Sequence, residues 1–343
     1  MAPGHGLVVA TQQTNGTTYN PGLLSLSSPL QKSQVDQLTM STVLETRLHA
    51  ALATEQHAPP PTQIYYQEES DSEFVNSYDR DEMVRWLCLL THDLHYRLEV
   101  FFRATNLLDT FLSLVKVRPK YLQCVTATCF YIGAKLEEKA EALQSLLEVL
   151  VQGYGCEFSQ RDIQRMELIV MQKLDFKLTN YTPHDFLKMF HLVGVTEGSL
   201  SLPGCLSPEQ HLCHTSLCLE AIVTNHTLMK FRPSLLALAV LGCDLKLLGC
   251  DWLTAVVTLQ SLSKIQGREL SVCYESVLSE YSSVALQYPL LVTPYSAPVV
   301  EPPREGTQET SSFNLCTRTD LEDLPPASVG KHLVPKKTLI AAQ

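Results

Sequence analysis

The chain has 343 residues, 45% hydrophobic and 18% charged, which suffices for two domains of ordinary size plus tails and for a sizeable buried core. Its formal net charge of −10 repels phosphate backbones and anionic lipid, and no concentrated basic stretch offsets it, so nucleic acid and membrane surfaces are excluded as main partners. It carries no Gly-x-x-x-x-Gly-Lys loop, no Gly-x-Gly-x-x-Gly after a strand, no His-Glu-x-x-His and no kinase signature. No enzyme class, cofactor or small-molecule ligand is therefore expected.

The eleven cysteines include no Cys-x-x-Cys pair. Cys88, Cys124, Cys129, Cys218 and Cys243 sit in apolar runs, as free thiols acting as small core residues do. The opening MAPGHGLVVATQQ has neither the charged start nor the apolar stretch of a secretory signal. No apolar run approaches the roughly 18 residues of a membrane span. Leu235–Gly242 is the longest, and Asp244 and Lys246 follow it. A soluble protein of a reducing, intracellular compartment is expected.

In chain order, residues 1–37 are a polar, aperiodic tail expected to be disordered. A helix over 38–56 follows, with Leu44, Leu48, Ala51 and Leu52 at helical spacing, and Pro59-Pro60-Pro61 ends it. This helix and the acidic connector QEESDSE (67–73) form a flanking unit, 38–73. A first helical block spans 74–180, with helices predicted at 79–96, 98–115, 119–135, 139–151 and 160–174. Pro119 suits a first helical turn, where its missing N–H is not needed. The 119–135 helix is apolar nearly all round, with small residues Cys124, Ala127, Cys129 and Gly133, and belongs at the centre of a bundle. Ser159-x-x-Asp162 is a capping box for the fifth helix.

A second block spans 181–292, with helices predicted at 183–193, 208–229, 233–248, 251–262 and 268–286. Thr182-Pro183-His184-Asp185 and Ser207-Pro208-Glu209-Gln210 are helix starts: cap, proline in the first turn, acid or amide at the third position. VRPKYL (117–122) and FRPSLL (231–236) put the same Arg-Pro-x-x-Leu before an apolar helix in both blocks, a weak internal repeat. From 293 to 343 the chain is rich in Pro, Glu, Ser and Thr and reads as a second disordered tail.

Chemistry-bearing residues are sparse. His211, Cys213, His214 and Cys218 share one predicted helix, but a zinc site needs ligands from elsewhere, and packing roles are favoured. His92-Asp93 is a bare dipeptide, and His184-Asp185 belongs to a helix cap. Lys135, in GAKLEEK, closes one apolar helix, and Glu167, in RMELIVMQKLDF, lies inside another. With no catalytic constellation near them, they read as a contact pair for a partner protein.

Four segments together resemble a cyclin, specifically the cyclin I branch with its cyclin G relatives. They are LLDTFLSLVKVRPKYLQCVTATCFYIGAKLEE (107–138), RMELIVMQKLDFKLTNYTPHDFLKMFH (165–191), LSPEQHL (206–212) and KFRPSLLALAVLGCDLKLLGCDWL (230–253). The resemblance implies an all-α fold of two five-helix cyclin boxes with a flanking N-terminal helix. It implies a regulatory subunit of a cyclin-dependent serine/threonine kinase, in the nucleus and cytoplasm, with a cell-cycle or cell-survival role. The alternative is a cyclin-box adaptor for non-kinase regulators. It assigns Lys135, Glu167, Leu136 and Glu138 to kinase binding, and Arg80 and Asp109 to a buried structural ion pair. The chain departs from substrate-recruiting cyclins, which carry Met-Arg-x-Ile-Leu before the Trp86 position. Here the residues are Asp79, Arg80, Asp81, Glu82 and Met83, and acidic groups do not bury a partner's leucine.

Overall fold

Periodicity and caps alone imply helices throughout, and in the computed structural model every regular element among the described residues (29–57, 73–154, 158–204 and 206–287) is helical. A flanking helix α1 (Pro29–His57) precedes two sets of five. The first set is α2 (Ser77–Asp93), α3 (Leu98–Leu114), α4 (Pro119–Glu137), α5 (Leu146–Gly153) and α6 (Gln160–Lys173). The second is α7 (Pro183–Thr196), α8 (Pro208–Val223), α9 (Pro233–Leu247), α10 (Trp252–Ser263) and α11 (Gly267–Gln287). The chain is thus all-α. No helix among the described residues is long and apolar enough to cross a membrane.

The cap residues act as their chemistry dictates. Asn76, Ser159, Thr182 and Ser207 each accept a hydrogen bond from the backbone N–H three residues on, whose side chain reaches back to the cap's own N–H. The Asn76–Asp79 box went unrecognised in the sequence. The Arg-Pro echo is structural too: Arg118 and Arg232 are both extended cap residues, each followed by a first-turn proline.

α4 and α9, the helices those prolines start, are the centres of the two bundles. Val125–Phe130 of α4 and Ser234–Leu245 of α9 are buried almost without interruption. A methyl group added at Gly133 would come within 3.2 Å of Val100 O and Ala104 N, so only glycine lets α4 approach α3 this closely. Phe101, Phe102 and Phe130 are at most 2% exposed. Burial at that level contributes about 1.5–3 kcal/mol per side chain.

Several boundaries differ from the expected ones. α1 begins at Pro29, so residues 29–37, expected as disordered tail, are helical. The remainder of that tail (1–28), nearly all of the acidic connector and the 293–343 tail lie outside the described residues. The helix expected over 139–151 is split: a 3₁₀ turn at Ala140–Leu143, then α5. α8 stops at Val223 instead of 229, because the Asn225 side chain takes the Thr227 N–H and starts a separate 3₁₀ turn. α2 ends at Asp93, where His95 turns left-handed (φ 57°).

α1 packs on the second bundle, against α7 and α10, through Leu44, Leu48, Ala51 and Leu52, all buried. Glu55 fixes its register. Its carboxylate accepts from the Ser234 N–H (2.8 Å) and hydroxyl (2.5 Å), supplying the side-chain cap that Arg232 does not provide for α9. Burial, against those same hydrogen bonds, holds the Glu55 carboxyl above its ordinary pKa.

Candidate interaction face and the seam between the bundles

α4 and α6 pack together, so the last turn of α4 meets the middle of α6. There Lys135 Nζ donates to Glu167 Oε1 at 2.7 Å, with the Lys135 side chain 41% exposed. The ammonium also sits 4.5 Å above the Tyr131 ring. Burial pulls Lys135 down, but the hydrogen bond and charge of Glu167 outweigh it and raise its pKa. The two residues that read from the sequence as a contact pair for a partner thus already hold each other.

Leu136, beside Lys135, is exposed, and so are Leu168 and Ile169 on α6. Phe176, just past α6 in a left-handed conformation (φ 57°), is 64% exposed. A lone exposed apolar residue is ordinary, but four on and just beyond the two helices that carry this ion pair make the region a candidate interaction face. Phe176 was overlooked in the sequence; its signal was an aromatic residue directly after the α6 pattern, in QKLDF.

Glu138 does not stand free beside Lys135. Its carboxylate accepts from both Arg97 Nε (3.1 Å) and Arg97 N (3.2 Å), bracing the start of α3 against the end of α4. Neighbouring Glu137 accepts from Arg103 Nε at 2.8 Å, and Arg103 also donates to Asn180 O in the link between bundles. Arg103 was another residue that periodicity did not single out.

Arg80 is completely buried and forms a two-pronged pair with Asp109: Nε to Oδ1 at 2.9 Å, Nη2 to Oδ2 at 2.8 Å. The guanidinium does more than join α2 to α3. Nη1 donates to Val223 O (2.9 Å) and Thr224 O (3.3 Å), the carbonyls that α8 leaves open at its end. Asp81 accepts from His226 N (3.0 Å) and sits 2.7 Å from His226 Nδ1. Further along the same face of α2, His92 Nε2 lies 2.9 Å from Glu220 Oε2 of α8. A polar seam therefore runs the length of α2 against the second bundle. Of the two acidic departures before Trp86, Asp79 is used in the α2 cap, and Asp81, at the motif's unspecified position, is engaged in the seam.

The His211–Cys218 cluster is more than packing. Cys213 is exposed, but His211, His214, Thr215 and Cys218 turn inward around Asp244 of α9, 1% exposed. The Asp244 carboxylate has Tyr281 OH at 2.7 Å, Thr215 Oγ1 at 2.9 Å, His211 Nε2 at 2.9 Å and His214 Nδ1 at 3.2 Å. Burial opposes ionisation of Asp244, but these donors win and hold its pKa well below the usual range. His214 is the counterpart: burial lowers it, and hydrogen bonds to Asp244 and Cys218 outweigh that, raising its pKa to about 10. His191, 2.9 Å from His211 Nδ1, is pushed down to about 4 by burial and by His211. Asp244 was missed because it interrupts an apolar run that reads as core.

Comparison with known proteins agrees with this architecture. The model for "Cyclin, N-terminal domain" matches residues 47–179, from α1 through the end of α6. Cyclin-G1 of Pongo abelii is 35% identical over 208 residues, 60% of this chain and 69% of that protein. Cyclin-I2 of Homo sapiens is 29% identical over 210 residues, again 60% of this chain. The match covers 56% of Cyclin-I2, little more than half its length. Among solved structures, a viral cyclin from herpesvirus saimiri superposes with a TM-score of 0.56 at 19% identity. It covers 70% of this chain and 99% of the viral chain, a likeness of fold.

Proposed function

The chain belongs to the cyclin family, one of regulatory proteins, and on that premise we propose that it binds a cyclin-dependent serine/threonine kinase and regulates its activity, in the nucleus and cytoplasm, with a cell-cycle or cell-survival role. The observation that carries this reading is the Lys135–Glu167 pair, its lysine exposed, on helices that also expose Leu136, Leu168 and Ile169, with Phe176 exposed just beyond α6. A few charges that fix orientation within an apolar surround are the composition of a protein–protein interface. An ammonium and a carboxylate offer donors and acceptors to the backbone of a mobile partner segment. Both can turn from each other to that segment at small cost, because an exposed pair holds itself together by no more than about 1 kcal/mol. Binding then shifts the kinase toward the conformation it contacts best, by the difference in affinity between conformations.

The test is co-purification of cyclin-dependent kinases with the full chain, wild type against the Lys135→Ala/Glu167→Ala double variant and against Phe176→Ala. Loss of a desolvated charged contact costs roughly 2–5 kcal/mol, so kinase affinity should fall at least about tenfold in the double variant. Undiminished binding and activation would discard this mechanism. The second reading, an adaptor that does not activate a kinase, draws on Asp79 and Glu82, which stand where a recruiting cyclin has apolar residues, Asp79 being used in the α2 cap. Its signature is capture of regulators with no change in kinase activity.

A further inference from the structure

Cys88 and His92 are four residues apart on α2 and so share a face, opposite Glu220 of α8. The Cys88 thiol, a His92 nitrogen and a Glu220 carboxylate oxygen all lie within 4.8 Å of one another. Glu220 is 3% exposed, whereas the His92 side chain is 51% exposed. Among the described residues, the buried carboxylate has only His92 Nε2, at 2.9 and 3.1 Å from its two oxygens, and the Cys88 thiol to satisfy it. A buried carboxylate with about four acceptor sites and so few donors is under-provided. Asp244 is the contrast: the Tyr281 and Thr215 hydroxyls donate to it and nitrogens of His211 and His214 lie 2.9 and 3.2 Å away, so it is amply provided.

We propose that Cys88, His92 and Glu220 form a binding site for a zinc-class divalent cation, which clamps α2 of the first bundle to α8 of the second. The ligand types are those zinc takes, sulfur at about 2.3 Å and nitrogen and oxygen at about 2.0–2.2 Å. Ligand atoms within 4.8 Å need only a small closing movement, and the half-exposed His92 is free to make it. The same exposure provides an entry path and a fourth position for water. Binding balances simply: the cation replaces the Cys88 thiol proton, which passes to solvent, while His92 binds neutral and Glu220 as the carboxylate. The site lies on the seam that already holds Arg80 and Asp81, so the cation would make the bundle arrangement responsive to metal, independently of any kinase.

The test uses the full chain, reduced and stripped with a chelator, then titrated with Zn²⁺ against a chromophoric competitor. One equivalent should bind and raise the thermal midpoint. Cobalt in its place should show a thiolate-to-metal charge-transfer band that Cys88→Ala abolishes. His92→Ala, at a half-exposed position that leaves the helix intact by circular dichroism, should weaken binding by more than the roughly 10–100-fold that follows loss of a mere supporting group. Absence of stoichiometric uptake overturns the site. So does uptake unchanged in both His92→Ala and Cys88→Ala, or uptake lost in His214→Ala instead.

Discussion

Lys135–Glu167 and His214–Asp244 are both cation–carboxylate pairs that join two helices, at 2.7 and 3.2 Å. One sits in the first bundle with its lysine and glutamate 41% and 15% exposed; the other sits in the second with its histidine and aspartate 12% and 1% exposed. In water-like surroundings the first pair gains little from its own attraction and remains available to a newcomer. The second has no water to fall back on, so its partners must be present and complete. Burial, more than distance, separates a pair that can exchange its partner at little cost from one that cannot. The same rule sorts the other charges: buried Arg80 spends its donors on Asp109 and on the α8 carbonyls, while Lys135, at the exposed edge of α4, is held by Glu167 alone among the charged groups of the described residues.

The comparison breaks first at Asp244. Asp244→Ala leaves Tyr281, Thr215 and two histidines without their acceptor and should cost about 3–5 kcal/mol in chemical unfolding. A loss below about 1 kcal/mol would place the two pairs in one class.

His214 sharpens it by pH. Its folded pKa, about 10, lies above the ordinary value of 6.5, so its contribution is fully present below about pH 6.5 and is lost as pH rises towards 10. The stability gap between wild type and His214→Gln should therefore shrink from pH 6.5 to 10. Thiols and Tyr281 titrate in both proteins, so the gap, not the midpoint itself, is the quantity to follow. A constant gap would mean that His214 is neutral in the fold.

Thr182 tests an intermediate case, a cap 2% exposed with neutral chemistry. Thr182→Ala should cost about 1 kcal/mol, read as a lower thermal midpoint. The smallest effect belongs to the exposed pair. Lys135→Ala and Glu167→Ala should each change stability by less than about 1 kcal/mol in the same unfolding assay. A larger loss would make the pair a structural tie and remove its claim to be an interaction face.

Elements that depend on near neighbours in the chain were legible from the sequence. The Ser159, Thr182 and Ser207 caps, the prolines opening α4 and α9, and the buried face Leu44–Leu48–Ala51–Leu52 all follow from three- and four-residue spacing. So did the all-α class and the central place of α4, since a helix apolar all round has nowhere else to go. The family resemblance marked Lys135, Glu167, Arg80 and Asp109. Tertiary structure alone decided how far those residues reach: that Arg80 closes the end of α8, that Glu138 turns to Arg97, and that α1 lies on the second bundle. It alone brought Asp244 to His211 and His214, and Glu220 to Cys88 and His92. The reason is physical. A cap or an amphipathic stripe is written within one turn of chain, whereas a buried charge such as Asp81 or Asp244 is tolerable only because of groups such as those 145 and 29 residues away. A linear pattern cannot register a need that is met across the fold.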